Sequence, residues 1–145
     1  MNIFIINGPN LNLLGLREPE IYGTKSYQDL VTEITEYATK KQIHVDIRQT
    51  NHEGVILDWI QENWQKFDGL ILNPGALTHY SYALFDCLKA VPLPTIEVHL
   101  SDLSRRETFR QTSVIKDACI AQIQGKGFAG YIEAIDRFLK GNQRP

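Results

Sequence analysis

The chain predicts a doubly wound α/β domain, and three observations predict it. Two hydrophobic periods take turns along the sequence, the first strand candidate is apolar on both faces, and no repeat, linker or low-complexity run breaks the alternation. Strict β/α alternation calls for a parallel sheet covered by helices on both faces, joined by right-handed crossovers. Five strands in 145 residues favour the flavodoxin-like order 2-1-3-4-5, a three-layer sandwich, over a barrel or a full Rossmann domain. One domain spanning 1–145 is expected, with 141–145 a frayed polar tail.

Each element follows from its pattern. Asn2–Asn7 (NIFIIN) is a near-continuous apolar run, as a strand buried on both faces should be. Ser26–Lys41 places Tyr27, Leu30, Val31, Ile34, Tyr37 and Ala38 at helical spacing, and Ser26 with Asp29 forms an N-terminal capping box. His44–Gln49 alternates and suits an edge strand. Val55–Trp64 returns to helical spacing. Then come strand Gly69–Asn73, helix Ser81–Ala90, strand Thr95–His99, an irregular charged stretch, strand Ala118–Gln124 and helix Phe128–Lys140.

Composition narrows the function classes. A net charge of −2 supplies no global field for nucleic acid or anionic membranes. No apolar run approaches the ~20 residues of a membrane span, and the first residues lack a basic leader region. Cys87 and Cys119 fall inside apolar elements, which fits buried thiols in a reducing compartment. A cytoplasmic protein is the expectation. There is no Walker loop, no GxGxxG after the first strand and no cysteine cluster, so no cofactor is called for.

In this architecture ligands bind beyond the carboxyl ends of the strands, near the switch point between strands 1 and 3. Polar residues gather there: "NGPNLNLLG" after strand 1, "NPGALTH" after strand 3, and "IEVHLS" at the end of strand 4. Glu97 and His99, two apart in a strand, leave the same face. A carboxylate beside an imidazole fixes its tautomer and favours its charged form, which makes a competent general acid. The two residues alone fit equally well a structural hydrogen-bonded pair. Pro74 and Gly75 read as a turn whose amides could face an anion, with Asn73 and His79 available for substrate hydroxyls. On a short helix, Arg106 and Arg110 would share a face within reach of a carboxylate.

"REPEIYG" at 17–23 is the unusual stretch, with a cation, two carboxylates and a phenol between Gly15 and Gly23. Tyr22 is a poor base at neutral pH unless its anion is stabilised, and Arg17 is the obvious stabiliser. Lowering its pKa by about two units takes roughly 2.7 kcal/mol. The flanking glycines suit a lid over 13–25. Base, acid and carboxylate clamp together suit a metal-free elimination on a small hydroxylated acid. A non-catalytic module binding a small carboxylate would need the same clamp.

The strings "NGPNLNLLGLREPEIYG", "RQTNHEG", "ILNPGALTHYSYAL" and "IEVHLSDLSRRETFR" closely resemble type II 3-dehydroquinate dehydratases, in the same order over nearly the whole chain. The resemblance implies conversion of 3-dehydroquinate to 3-dehydroshikimate and water, in the shikimate pathway or quinate catabolism, without cofactor, metal or Schiff base. It also implies a homododecamer, a tetramer of trimers. It makes Tyr22 the base at C2, Arg17 the stabiliser of the tyrosinate, and His99 the acid for the C1 hydroxyl, with Glu97 orienting it. Asn10 would hold a water near the enolate oxygen. Asn73, His79 and Arg110 would bind substrate, the backbone of Leu100 and Ser101 would cradle its carboxylate, and Asp86 would reach a neighbouring subunit's site. Two departures from the family pattern are Asp102-Leu103-Ser104-Arg105 and Lys126 within "GKG".

Overall fold

The computed structural model describes residues 1–16 and 18–141, and of Tyr22 only the backbone. Five parallel strands, β1 (Asn2–Asn7), β2 (His44–Gln49), β3 (Gly69–Asn73), β4 (Thr95–His99) and β5 (Ala121–Gln124), form one sheet in the order 2-1-3-4-5. The connections are α1 (Pro19–Tyr22), α2 (Tyr27–Lys40), α3 (Glu53–Asn63), α4 (Tyr82–Ala90) and α5 (Ala129–Leu139), with several 3₁₀ turns. The fold class and strand order are those the alternation predicts, and β2 lies at an edge.

Side-chain alternation divides the core in two. Ile3, Ile5, Ile71, Ile96, Val98 and Ile123 meet α2 and α5 on one face of the sheet. Phe4, Ile6, Leu70 and Leu72 meet α3 and α4 on the other. Helix α2 starts at the expected capping box: Ser26 Oγ accepts from the Asp29 amide at 3.1 Å and Asp29 Oδ2 from the Ser26 amide at 2.8 Å. Ser26 lies just outside the helix, as a cap does.

Several local readings differ from the sequence analysis by more than a cap residue. Helix α3 begins at Glu53, because the carbonyl of His52 already accepts helical bonds from Val55 and Ile56. Strand β5 begins at Ala121, since Lys116–Ala118 closes a 3₁₀ turn before the chain reaches the sheet. The stretch expected as a lid contains a one-turn helix that ends at Tyr22. The expected short helix carrying Arg106 and Arg110 is two 3₁₀ turns, Leu103–Arg105 and Thr108–Arg110, separated by extended backbone at Arg106 and Glu107. Both cysteines are free, Cys87 buried and Cys119 half-buried. Among the described residues no helix is long and apolar enough to cross a membrane.

Candidate active site

The sheet's alternation sends two sets of polar side chains to its carboxyl edge. Asn7 and Asn73 are register partners and continue the α2/α5 face, while Glu97 and His99 continue the α3/α4 face. Between the strand ends the loops after β1 and β3 cross closely. A methyl group on Gly8 would lie 2.6 Å from the Pro74 carbonyl oxygen, and one on Gly75 (φ +59°) 2.9 Å from that of Pro9. Both positions therefore require glycine. The Gly8 amide donates to the Asn73 carbonyl at 2.8 Å, which ties the two loops into one floor.

Glu97 is fully buried, yet both its oxygens are engaged. Oε1 accepts from Thr78 Oγ1 and from Ser113 Oγ at 2.7 Å, and Oε2 accepts from Gln122 Nε2 at 2.6 Å. His99 Nε2 lies 3.1 Å from Oε1, an ion-pair distance without the direction of a good hydrogen bond. Burial alone would raise the Glu97 pKa, but His99, Ser113 and Thr78 together outweigh it and hold the carboxyl below its ordinary value. His99 Nε2 is itself buried, which leaves Nδ1 as the ring nitrogen available to the pocket that His99 lines.

On the other face, Asn73 is fixed by a neutral chain. The Gly75 amide can only donate, so the Asn73 atom 3.2 Å from it is the carbonyl oxygen Oδ1. Asn73 Nδ2 then donates to the Tyr131 hydroxyl at 3.0 Å, which donates in turn to Asn7 Oδ1 at 2.6 Å. Tyr131 is wholly buried, and that burial pushes its phenol pKa well up.

One pocket collects Asn73, His79, His99, Leu100, Ser101 and Arg110 from the sequence-predicted set. His79 Nδ1 lies 2.8 Å from the Thr112 carbonyl, which only accepts, so Nδ1 carries a proton in that contact. Arg106 and Arg110 both line the pocket despite the broken helix. Arg106 donates to Ser101 Oγ at 3.2 Å and lies 3.7 Å from Glu18 Oε2. Arg110 lies 2.8 Å from Glu107 and 4.7 Å from the Phe109 ring centre. Two cations in a recess lined also by the Leu100–Ser101 segment can hold an anion.

Some expected residues lie elsewhere. Glu97 sits behind His99 and not on the pocket surface. Asn10 is exposed at a left-handed turn (φ 70°), its amide donating to Asn51 Oδ1 at 3.0 Å. Asp86 is on the exposed side of α4, away from the pocket. Arg17 and the Tyr22 side chain fall outside the described residues. Neither departure from the family pattern alters the acid: Asp102 Oδ1 caps the 3₁₀ turn through the Ser104 amide at 3.0 Å, and Lys126 pairs with Glu133 at 2.5 Å. Ser113, Gln122 and Tyr131, which support Glu97 and Asn73, were invisible to motif reading, and Thr78, within "NPGALTH", was not expected to donate to Glu97. The register of β5 with β4 would have found Gln122, since the pairing sets it opposite Glu97.

The match to known proteins covers nearly the whole chain. The family model described as dehydroquinase class II matches residues 1–139. A 3-dehydroquinate dehydratase of Halothermothrix orenii is 52% identical over 137 residues, covering 94% of this chain and 93% of its own. The crystal structure of a type II dehydroquinase from Butyrivibrio crossotus superposes with a TM-score of 0.94 at 51% identity, over 96% of this chain and 97% of that one. A 3-dehydroquinate dehydratase-like protein from Bifidobacterium longum is more distant, with a TM-score of 0.68 and 28% identity over 94% and 93%.

Proposed function

The chain belongs to the class II dehydroquinase family, and from that premise we propose that it is a cofactor-free hydro-lyase converting 3-dehydroquinate to 3-dehydroshikimate. The observation that carries the proposal is the buried Glu97–His99 pair opening on a pocket with two arginines. Glu97 holds the imidazole with Nε2 inward, and Nδ1 protonates the departing C1 hydroxyl. Tyr22, as tyrosinate sustained by Arg17, removes the C2 proton next to the C3 ketone, and the enolate-like intermediate expels water. The Leu100–Ser101 backbone and Arg110 hold the substrate carboxylate, Asn73 and His79 its hydroxyls, and Asn10 a water at the enolate oxygen.

Segment 13–25 closes over the bound substrate, bringing Arg17 and Tyr22 in and excluding water. The described part of that segment fits a hinged element: one helical turn between Glu18 (φ 39°) and Gly23 (φ 82°), with Leu16 83% exposed. The exposed Asp86 is assigned to a neighbouring copy's site within a homododecamer built as a tetramer of trimers. A cytoplasmic setting suits the two free thiols.

The test is the enone chromophore formed from 3-dehydroquinate in the presence of a chelator. Absorbance gain is expected, and none with folded, assembled protein ends the proposal in favour of carboxylate binding alone. Tyr22→Phe should nearly abolish turnover while substrate binding stays measurable; near-normal turnover would reassign the base. No lysine lines the pocket among the described residues, so borohydride with substrate should leave activity intact.

A further inference from the structure

We infer that Gln122 is a positioning residue for the acid half of the reaction: from the neighbouring strand it fixes the Glu97 carboxylate, and through it the His99 ring. The inference rests on the proposed elimination for its kinetic test and on geometry alone for its spectroscopic one. Gln122 and Glu97 are register partners on adjacent parallel strands, and their side chains share the α3/α4 face. The three contacts to Oε1, from Thr78, Ser113 and His99, all lie on one side of the carboxylate. The hydrogen bond to Oε2 comes from Gln122 at 2.6 Å and stops rotation about the last bond of the side chain. His99 Nε2 lies at ion-pair distance, 3.1 Å, from Glu97 Oε1, so the ring's electrostatic partner sits wherever that carboxylate is held.

The residue type matters as much as its place. A lysine or arginine opposite Glu97 would pair with it and divert its charge from His99. A carboxamide donates an N–H and adds no charge, so the anion stays directed at the imidazole. Gln124, two residues on and on the same face, accepts from the Leu103 amide at 2.7 Å. The short edge strand β5 thus braces both the acid and the loop that follows β4. Among the described residues, the titratable groups around Glu97 are His99 on its own strand and the Cys119 thiol ahead of β5, which burial and Glu97 keep protonated.

The experiment compares wild type, Gln122→Met and Gln122→Glu. Gln122→Met, similar in shape without the donor, should lower kcat about tenfold with KM within about twofold. In Gln122→Glu the two facing carboxyls share one proton at low pH, and the protonated one donates as the amide did. That variant should approach wild-type kcat at low pH and lose it on a new alkaline limb. Wild-type kcat in Gln122→Met, or the same pH profile in both variants, would overturn the assignment. In substrate-free protein carrying labelled histidine, the His99 ring resonances in Gln122→Met should move from their wild-type positions, because the carboxylate 3.1 Å from the ring has lost the donor that holds it. His44, His52 and His79 serve as internal references. An unmoved His99 resonance overturns the inference whatever the activity, whereas a wild type that makes no enone ends only the proposed elimination.

Discussion

Two buried polar networks meet at the carboxyl edge of the sheet, one on each face, and they differ in charge. Around Glu97 an anion is held by neutral donors and faces a histidine. Around Tyr131 a phenol links two carboxamides, Asn7 and Asn73, with no charge at all. Both lie in regions of nearly zero exposure, where an unsatisfied polar group is costly. The difference separates tasks. A charged network can set a proton's affinity and so belongs with acid chemistry, while a neutral one can only set which way a donor points.

The largest effect that could break this comparison is on turnover. Glu97→Gln removes the charge and also turns an amide N–H toward one of the three donors that surround the carboxylate. We expect kcat to fall by about a hundredfold or more. Tyr131→Phe removes one neutral hydrogen bond to Asn73, so KM should rise by about fivefold with kcat within a few-fold, the size of a roughly 1 kcal/mol loss. Steady-state kinetics on both variants decides it, and equal losses of kcat would erase the distinction between the networks.

Stability against pH sharpens it further, because the networks should fail at opposite ends. The Glu97 carboxyl is held below its ordinary value in the folded chain, so its contribution is complete above the unfolded carboxyl pKa of about 4.3 and is lost as pH falls through the folded value. The Tyr131 phenol is pushed upward, so its contribution is complete below about pH 10 and is lost as pH rises beyond that. Denaturant midpoints measured across pH should show a shallower acid limb in Glu97→Gln and a shallower alkaline limb in Tyr131→Phe. No change at either end would mean that other groups dominate both limbs.

How much of this the sequence disclosed depends on whether a residue acts through local pattern or through register. The strands and the Ser26 cap were legible because hydrophobic period and capping chemistry are local, whereas the strand order was inferred from β/α alternation and the number of strands. Glu97 and His99 were legible as a pair because two-residue spacing in a strand fixes a shared face. The pocket's arginines were found on mistaken grounds: no helix joins Arg106 to Arg110, yet the broken turns bring both to the recess. Ser113, Gln122 and Tyr131 were not found, because each is defined by a partner from 16 to 58 residues away in the chain and belongs to no recognisable motif; Thr78 was visible in "NPGALTH", but its bond to Glu97, 19 residues on, was not.

The smallest expected effect calibrates the others from a site outside both networks. Ser26 caps α2 through its hydroxyl, and the helix carries Leu30 and Ile34 into the α2/α5 core. Ser26→Ala should lower unfolding free energy by about 1 kcal/mol, the usual size of a lost N-cap. Neither kcat nor KM should move, because the cap touches neither Glu97 nor Asn73. Chemical denaturation alongside kinetics checks both halves of that expectation. If a loss of this size at Ser26 also depressed turnover, kinetic losses at Glu97, Gln122 or Tyr131 would reflect general loosening of the domain, and the assignment of separate tasks to the two networks would fall with them.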